Sequence, residues 1–198
     1  MAFASVADLL NQVKENGLPL WETIMKDDCR EHGTESKAAV RQMAILWDAM
    51  KTAGREYNPD ARSSSGLVGG EGAKMCRFPQ NRSIGGEFFD RIIAQALSMG
   101  ESNAEALKMG ECNACMKRIV AAPTAGSCGV LPAVLIPLAE RDRISDEEIV
   151  QSLFVAAGFG QIIASRASIA GAEGGCQAEI GSASGMAAAA LVSIKKGT

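Results

Sequence analysis

Apolar positions in the first third of the chain recur three and four residues apart, which predicts amphipathic helices. The first helix is predicted to end near Gly17, the second to run from Leu18–Leu20 to His32, and a third to be capped by Ser36. In the third helix, the residues predicted to face inward are Ala39, Val40, Met43, Ile45, Leu46, Trp47 and Met50.

The rest of the chain alternates apolar helical patterns with loops of small residues. Ser145 and Glu148 form a capping-box pattern that predicts a long helix from Asp146. No stretch shows the two-residue period of a strand, so we predict an all-α fold. It would be a compact single domain, 1–198, of seven to eight helices with glycine-rich loops between them. The other predicted helices are Phe88–Met99, one from Ser102 or Asn103 towards Val120, Val130–Arg141, and one from Cys176 to Lys196 after a break at Gly171–Gly175.

Composition agrees with this fold and excludes some partners. Hydrophobic residues make up 47% of the chain but aromatic residues only 5%, which favours closely packed helices over a β-sandwich. The net charge is −3 and no basic stripe alternates with aromatic residues, so no nucleic-acid partner is expected. The N-terminus lacks the pattern of a secretory signal, and six cysteines without one indicate a reducing, cytoplasmic location.

One uncharged stretch, Ile119–Ala139, is long enough to cross a bilayer. Pro123, Pro132 and Pro137 interrupt it, and a lipid-facing segment must satisfy every backbone group internally. We therefore interpret the stretch as a buried loop that runs into a buried helix, and expect no membrane association.

Three nearly uncharged segments combine glycine with hydroxyl residues at predicted helix starts: Ser63–Gly70, Pro123–Gly129 and Gly174–Gly185. Glycine lets a backbone approach a ligand closely, and free N–H groups at a helix N-terminus attract anions. Together the segments would make a pocket for a small carboxylate. The alternative is that their small residues only permit tight helix packing.

The other candidate groups favour structural roles. Cys112 and Cys115 have the Cys-x-x-Cys spacing of metal and redox sites, but no partner pair follows, so packing is the simpler interpretation. Cys29 and Cys76 are predicted to be structural. His32, the single histidine, is expected to interact with a helix C-terminus and not to act as a base.

Cys176 differs because it follows Gly174-Gly175 at a predicted break between two helices. Exposed N–H groups there would favour a thiolate, which makes a good metal ligand or nucleophile. Glu173–Ala183, Ala121–Gly129 and Ser63–Gly70 together resemble the characteristic segments of iron–sulfur L-serine dehydratases, and the N-terminal helices resemble those of the α subunit in the two-chain type.

This resemblance implies a [4Fe–4S] cluster held by three cysteines, with one iron left open. Cys176 matches one ligand, and the other two belong to a segment that would follow Thr198, so the 198 residues alone are expected to be inactive and cluster-free. Cys112 and Cys115 depart from the family, which has small non-cysteine residues there. The residues that the resemblance places at the substrate are Ser63, Ser65, Gly66, Asn113, Thr124 and Ser127.

The activity implied is L-serine ammonia-lyase, which eliminates water and yields pyruvate and ammonia in amino-acid catabolism and gluconeogenesis. Hydroxide is a poor leaving group, so a Lewis acid is required on that oxygen, and a base, which the sequence does not identify, must take the α-proton. The implied partners are L-serine, a β chain and further copies in an oligomer. Three alternatives stay open: a cysteine-desulfidase-like lyase, a pyridoxal-phosphate enzyme using Lys74, and a non-catalytic amino-acid-binding domain.

Overall fold

In a computed structural model of the chain, residues 3–76 and 105–197 are described, and every regular element in them is a helix. The predicted helix Phe88–Met99 and the predicted start at Ser102 or Asn103 lie outside the described residues. The all-α prediction is confirmed. The helices are α1 (Val6–Asn16), α2 (Leu20–His32), α3 (Ser36–Arg55), α4 (Glu71–Cys76), α5 (helical over 105–114), α6 (Val130–Asp142), α7 (Asp146–Arg166) and α8 (Gly171–Ile194).

Helix α7 lies at the centre and packs against α2, α3, α6 and α8. It is long and apolar enough to cross a membrane by length and composition, but 56% of its most apolar window is buried inside the protein. Trp47 Nε1 on α3 donates to Asp146 Oδ1 at 2.7 Å and fixes α3 to the first turn of α7. The Ile119–Ala139 stretch is a loop that continues into α6, as predicted, and Leu131 and Leu135 of α6 are buried. The loop itself is only partly buried, because Ala121, Ala125 and Gly126 are exposed.

Two glycines of α7 let its neighbours approach closely. A methyl group added at Gly158 would lie 2.7 Å from Ile24 Cδ1, and one at Gly160 would lie 2.8 Å from Met186 Sδ. Both distances are shorter than van der Waals contact, so alanine at Gly158 would push Ile24 of α2 away and alanine at Gly160 would force the Met186 side chain of α8 to move. Small residues therefore fix the packing distances around the central helix.

The inward face of α3 is narrower than predicted. Trp47 is 2% exposed, but Val40, Ile45 and Leu46 are 36%, 44% and 40% exposed, so their predicted burial is wrong. The buried residues of α3 lie on one face of the helix, among them Ala39, Trp47 and Met50. Val40, Ile45 and Leu46 are one or two positions away from these residues, and their side chains point to other faces of the helix. Ser36 is the first helical residue and not the cap, because Glu35 takes the N-cap position.

Two helix ends also differ from the predictions. Helix α5 ends at residue 114 and not near Val120, because Met116 adopts a left-handed conformation (φ 59°) and Lys117 N–H bonds back to the Cys112 carbonyl. Helix α7 ends at Arg166, and Gly171–Gly174 form a first turn of α8. The break predicted at the glycines is a kink at Gly175 inside α8 (φ 72°, ψ −180°).

The start of α7 is the predicted capping box. Ser145 Oγ accepts from Glu148 N–H at 3.3 Å, and Glu148 Oε2 accepts from Ser145 N–H at 3.2 Å. We expect Ser145→Ala to lower the free energy of unfolding by about 1 kcal/mol, because the α7 N-terminus loses its side-chain acceptor. Urea denaturation measures this. Glu147→Gln is the matched control in the same turn, with an expected loss of only a few tenths of a kcal/mol; equal losses in the two variants would contradict the capping role.

Candidate functional site

The loop before α4 holds three of the predicted substrate-binding residues in one turn. Ser63 N–H donates to the Val68 carbonyl at 2.9 Å, and Val68 N–H donates to Ser63 Oγ at 3.2 Å. The hydroxyl oxygens of Ser63 and Ser65 lie 3.1 Å apart, and Gly66 has the positive φ (73°) that the turn requires. Ser65 and Gly66 are exposed, so the loop presents hydroxyl and backbone groups to solvent.

The carboxylate of Glu111, on α5, anchors this loop. Glu111 is 5% exposed and accepts the N–H groups of Gly70, Glu71 and Gly72 at 3.0, 2.6 and 3.2 Å. It also accepts the Tyr57 hydroxyl at 2.5 Å. The sequence predicted that N–H groups at such a helix start attract an anion; at α4 that anion is Glu111 of the same chain.

The surroundings of Glu111 and Tyr57 shift the pKa values of both groups. Burial alone would raise the pKa of Glu111, but the hydrogen bonds from Tyr57 and the backbone N–H groups together hold that pKa below 4.5. Burial, followed by the bond to Glu111, raises the pKa of the Tyr57 hydroxyl to about 12. At neutral pH the pair is therefore a carboxylate and a neutral phenol, as the hydrogen bond between them requires.

The turn before α6 brings three further predicted residues together. Ser127 is 1% exposed, and its hydroxyl oxygen lies 3.1 Å from Thr124 Oγ1 and 3.3 Å from the Ala122 carbonyl. Asn113 Nδ2 donates to the Ala125 carbonyl at 3.3 Å. Asn113 lies two residues after Glu111, so the last turn of α5 contacts both the Ser63–Gly70 loop and the Pro123–Gly129 turn.

Cys176, the predicted metal ligand, is the first residue after the kink at Gly175, and it is exposed. Within 3–76 and 105–197, no group of three or more His, Cys, Asp or Glu side chains is arranged to hold a metal ion. The described residues therefore offer one accessible thiol and do not by themselves fit an iron–sulfur cluster.

Glu179 is a candidate site residue that the sequence did not point to. A methyl group added at Gly126 would lie 2.6 Å from Glu179 Oε2, and one added at Gly171 would lie 2.9 Å from it. The half-buried carboxylate thus contacts the Pro123–Gly129 turn and the start of α8 at once. The signal for it was a single charge among small residues, three positions after Cys176.

Three of the remaining cysteines have the surroundings expected of packing residues. Cys29, Cys112 and Cys128 are buried, and burial raises the pKa of the Cys112 and Cys128 thiols. Cys112 Sγ lies 3.6 Å from the Ala53 carbonyl, and Cys115 is half-buried and free. The side chain of Cys76 lies outside the described residues.

His32 and Lys74, which were considered as a catalytic base and as a pyridoxal-phosphate lysine, both contact other surface residues. His32 Nδ1 lies 3.0 Å from the Asp28 carbonyl on the last turn of α2, the structural position predicted for it. Lys74 Nζ, the candidate for a pyridoxal-phosphate enzyme, lies 2.8 Å from Glu71 Oε1, and both side chains are exposed on α4. An all-α fold also differs from the α/β scaffold that such an enzyme requires.

The geometry defines an all-helical domain in which α5 contacts both the Ser63–Gly70 loop and the Pro123–Gly129 turn. Cys176 adds an exposed thiol on α8. Comparison with known proteins then gives the family. The sequence matches the family described as "Serine dehydratase alpha chain" over residues 15–198, and the chain belongs to that family.

Individual relatives agree with this assignment. The chain is 34% identical over 197 residues to the probable L-serine dehydratase, alpha chain, of Bacillus subtilis, covering 99% of this chain and 62% of that protein. It is 32% identical over 193 residues to the L-serine dehydratase, alpha chain, of Peptoniphilus asaccharolyticus, covering 96% and 63%. L-serine dehydratase 2 of Escherichia coli is 32% identical over 203 residues, which cover 97% of this chain and 41% of that protein. The chain thus spans about three fifths of the length of the first two relatives.

Proposed function

We propose that the complete protein is an L-serine ammonia-lyase that converts L-serine to pyruvate and ammonia. The observation that carries the proposal is the last turn of α5, where Glu111 holds the Ser63–Gly70 loop and Asn113 holds the Pro123–Gly129 turn. These are the segments by which the sequence resembles serine dehydratases, and the relatives named above are L-serine dehydratases.

The two turns supply the groups that an amino-acid carboxylate needs. Hydroxyl and amide donors and close-approaching glycine backbones bind a small anion without bulk. We assign contacts with the substrate to Ser63, Ser65 and Gly66 in the first turn and to Thr124 and Asn113 at the second. Ser127 is buried and bonded within its own turn, so its contribution is to fix the position of Thr124.

Cys176 would be one ligand of a [4Fe–4S] cluster whose other ligands lie outside the described residues. When bound, an iron with an open coordination position supplies a Lewis acid for the departing hydroxyl group. The exposure of Cys176 at the kink leaves its sulfur accessible for this role. Since one thiol cannot anchor a cluster, the 198 residues alone are expected to hold no iron and to show no turnover.

We further propose that the chain works with a serine dehydratase β chain in a cytoplasmic oligomer. Two of its relatives are named alpha chains, which supports a partner chain. The proposed reaction belongs to amino-acid catabolism, and its product pyruvate can enter gluconeogenesis.

The test is an assay of the complete enzyme, prepared without air together with its partner chain. We expect release of ammonia and pyruvate from L-serine, the broad brown absorbance of an iron–sulfur cluster, and loss of both on exposure to air. Preferential release of sulfide from L-cysteine would favour the desulfidase-like alternative. A yellow aldimine spectrum would refute the proposal, and tight binding of L-serine without turnover would instead indicate a non-catalytic binding domain.

A further inference from the structure

The Glu179 carboxylate lies close to two glycines, and none of the described residues is its partner. It is half-buried against the backbones of Gly126 and Gly171, at positions where any side chain would collide with it. Among the described residues, no hydrogen bond or ion pair engages this carboxylate. A carboxylate without a partner in this position can accept a ligand that carries a positive charge.

An amino-acid substrate carries such a charge on its α-ammonium group. The Pro123–Gly129 turn offers hydroxyls and N–H donors, which suit the substrate carboxylate and not a cation. Glu111 also lies close to the turns, but four hydrogen bonds from Tyr57 and the start of α4 already saturate its carboxylate. Glu179 contacts the turn and, among the described residues, has no hydrogen-bond partner.

We propose that Glu179 binds the α-ammonium group of the amino-acid substrate, an inference that rests on the proposed function. Glu179 lies three residues after Cys176 on α8, so the two side chains are neighbours on one helix face, with Cβ atoms about 5–6 Å apart. The ammonium group at Glu179 and the carboxylate at the donors of the Pro123–Gly129 turn would then orient the substrate, and its hydroxyl would face the Cys176 side of the site.

The absence of side chains at Gly126 and Gly171 has a function in this arrangement. Any larger residue at either position would occupy the space of the Glu179 oxygens, at 2.6 and 2.9 Å from the added carbon. Both glycines have ordinary backbone conformations, because neither has a positive φ. A side chain at either position would therefore force the Glu179 carboxylate to move from its present place.

The experiment compares two ligands in the complete enzyme: L-serine, and 3-hydroxypropionate, which keeps the carboxylate and the hydroxyl but lacks the ammonium group. For Glu179→Gln we expect the KM for L-serine to rise about 10- to 100-fold, the usual effect of losing a charge-assisted hydrogen bond. The inhibition constant of 3-hydroxypropionate should stay the same or fall. Glu140→Gln, at an exposed glutamate on α6, is the control and should change neither constant.

A second variant tests the same role without altering the carboxylate. Gly171→Ala should displace Glu179 and show the same selective loss of L-serine binding, with the cluster absorbance and the melting temperature as checks on integrity. The inference about Glu179 would be overturned if both ligands bound equally more weakly, or if the KM for L-serine were unchanged in Glu179→Gln. Neither result would contradict the proposed dehydratase function. An unaltered enzyme that does not deaminate L-serine would overturn the proposed function, and the role of Glu179 with it.

Discussion

Replacing Cys176 by serine in the complete enzyme is expected to remove its iron and to slow L-serine deamination about a thousandfold or more. A metal ion that polarises the leaving oxygen contributes several kcal/mol to transition-state stabilisation, and each 1.4 kcal/mol is a factor of ten in rate. The thiol is exposed beyond the kink at Gly175, so the substitution removes a ligand without opening a cavity in the core. Iron content, visible absorbance and turnover of the anaerobic protein measure the effect.

Cys115→Ser is the matched control for this prediction, because Cys115 is also free and only half-buried. It should retain the iron and most of the activity. A Cys176→Ser enzyme with a full complement of iron and undiminished turnover would rule out a role for this thiol as a ligand. An equal loss in both variants would indicate general sensitivity to cysteine replacement.

Replacing Glu111 by alanine is expected to lower the free energy of unfolding by about 3 kcal/mol. The change leaves the N–H groups of Gly70, Glu71 and Gly72 and the Tyr57 hydroxyl without their acceptor, in a region where the carboxylate is 5% exposed. Each buried donor left unsatisfied costs about 1–3 kcal/mol, and water can compensate those nearest the surface. Urea denaturation measures the loss, and Tyr57→Phe, which removes one of the four donors, should cost about 1 kcal/mol.

The same carboxylate predicts a pH dependence. Because folding lowers the pKa of Glu111, its contribution is complete above its ordinary value of 4.5 and is lost as the pH falls through the lowered folded pKa. The stability difference between the unaltered protein and Glu111→Gln should therefore shrink below about pH 4.5. Other acidic groups titrate in both proteins and cancel in the comparison. A difference that is constant from pH 7 to pH 3 would contradict the role of the ionised carboxylate.

Helix ends with a dedicated sequence signal could be predicted. Gly17 and Gly33 end α1 and α2 in left-handed conformations that glycine adopts freely, and the Ser145–Glu148 capping box begins α7 where the pattern indicated. The end of α5 could not be predicted, because Met116 takes the left-handed position there and methionine is not a usual signal for it. The exposure of Ile45 and Leu46 depends on which face of α3 finds a partner, which local spacing does not specify.

The site was predictable in its parts but not in its arrangement. Asn113, Thr124 and Ser127 were expected near one another from the family resemblance, and the structure brings them together, although their roles remain predictions. Glu111 was missed because a glutamate near a helix end normally faces solvent; its burial depends on N–H groups about 40 residues earlier in the chain. Glu179 was missed because it meets Gly126 and Gly171 only in the folded chain, and no local sequence pattern links the three residues.

The last turn of α5 also determines how the two hydroxyl-rich turns can move. Successive residues of a helix are separated by about 100° of rotation, so Glu111 and Asn113 point in directions about 200° apart. The helix therefore lies between the two turns: the Glu111 carboxylate binds the Ser63–Gly70 loop on one side, and the Asn113 amide binds the Pro123–Gly129 turn on the other. A rotation of α5 about its axis would move both turns at once, so the positions of the two turns are coupled through this helix.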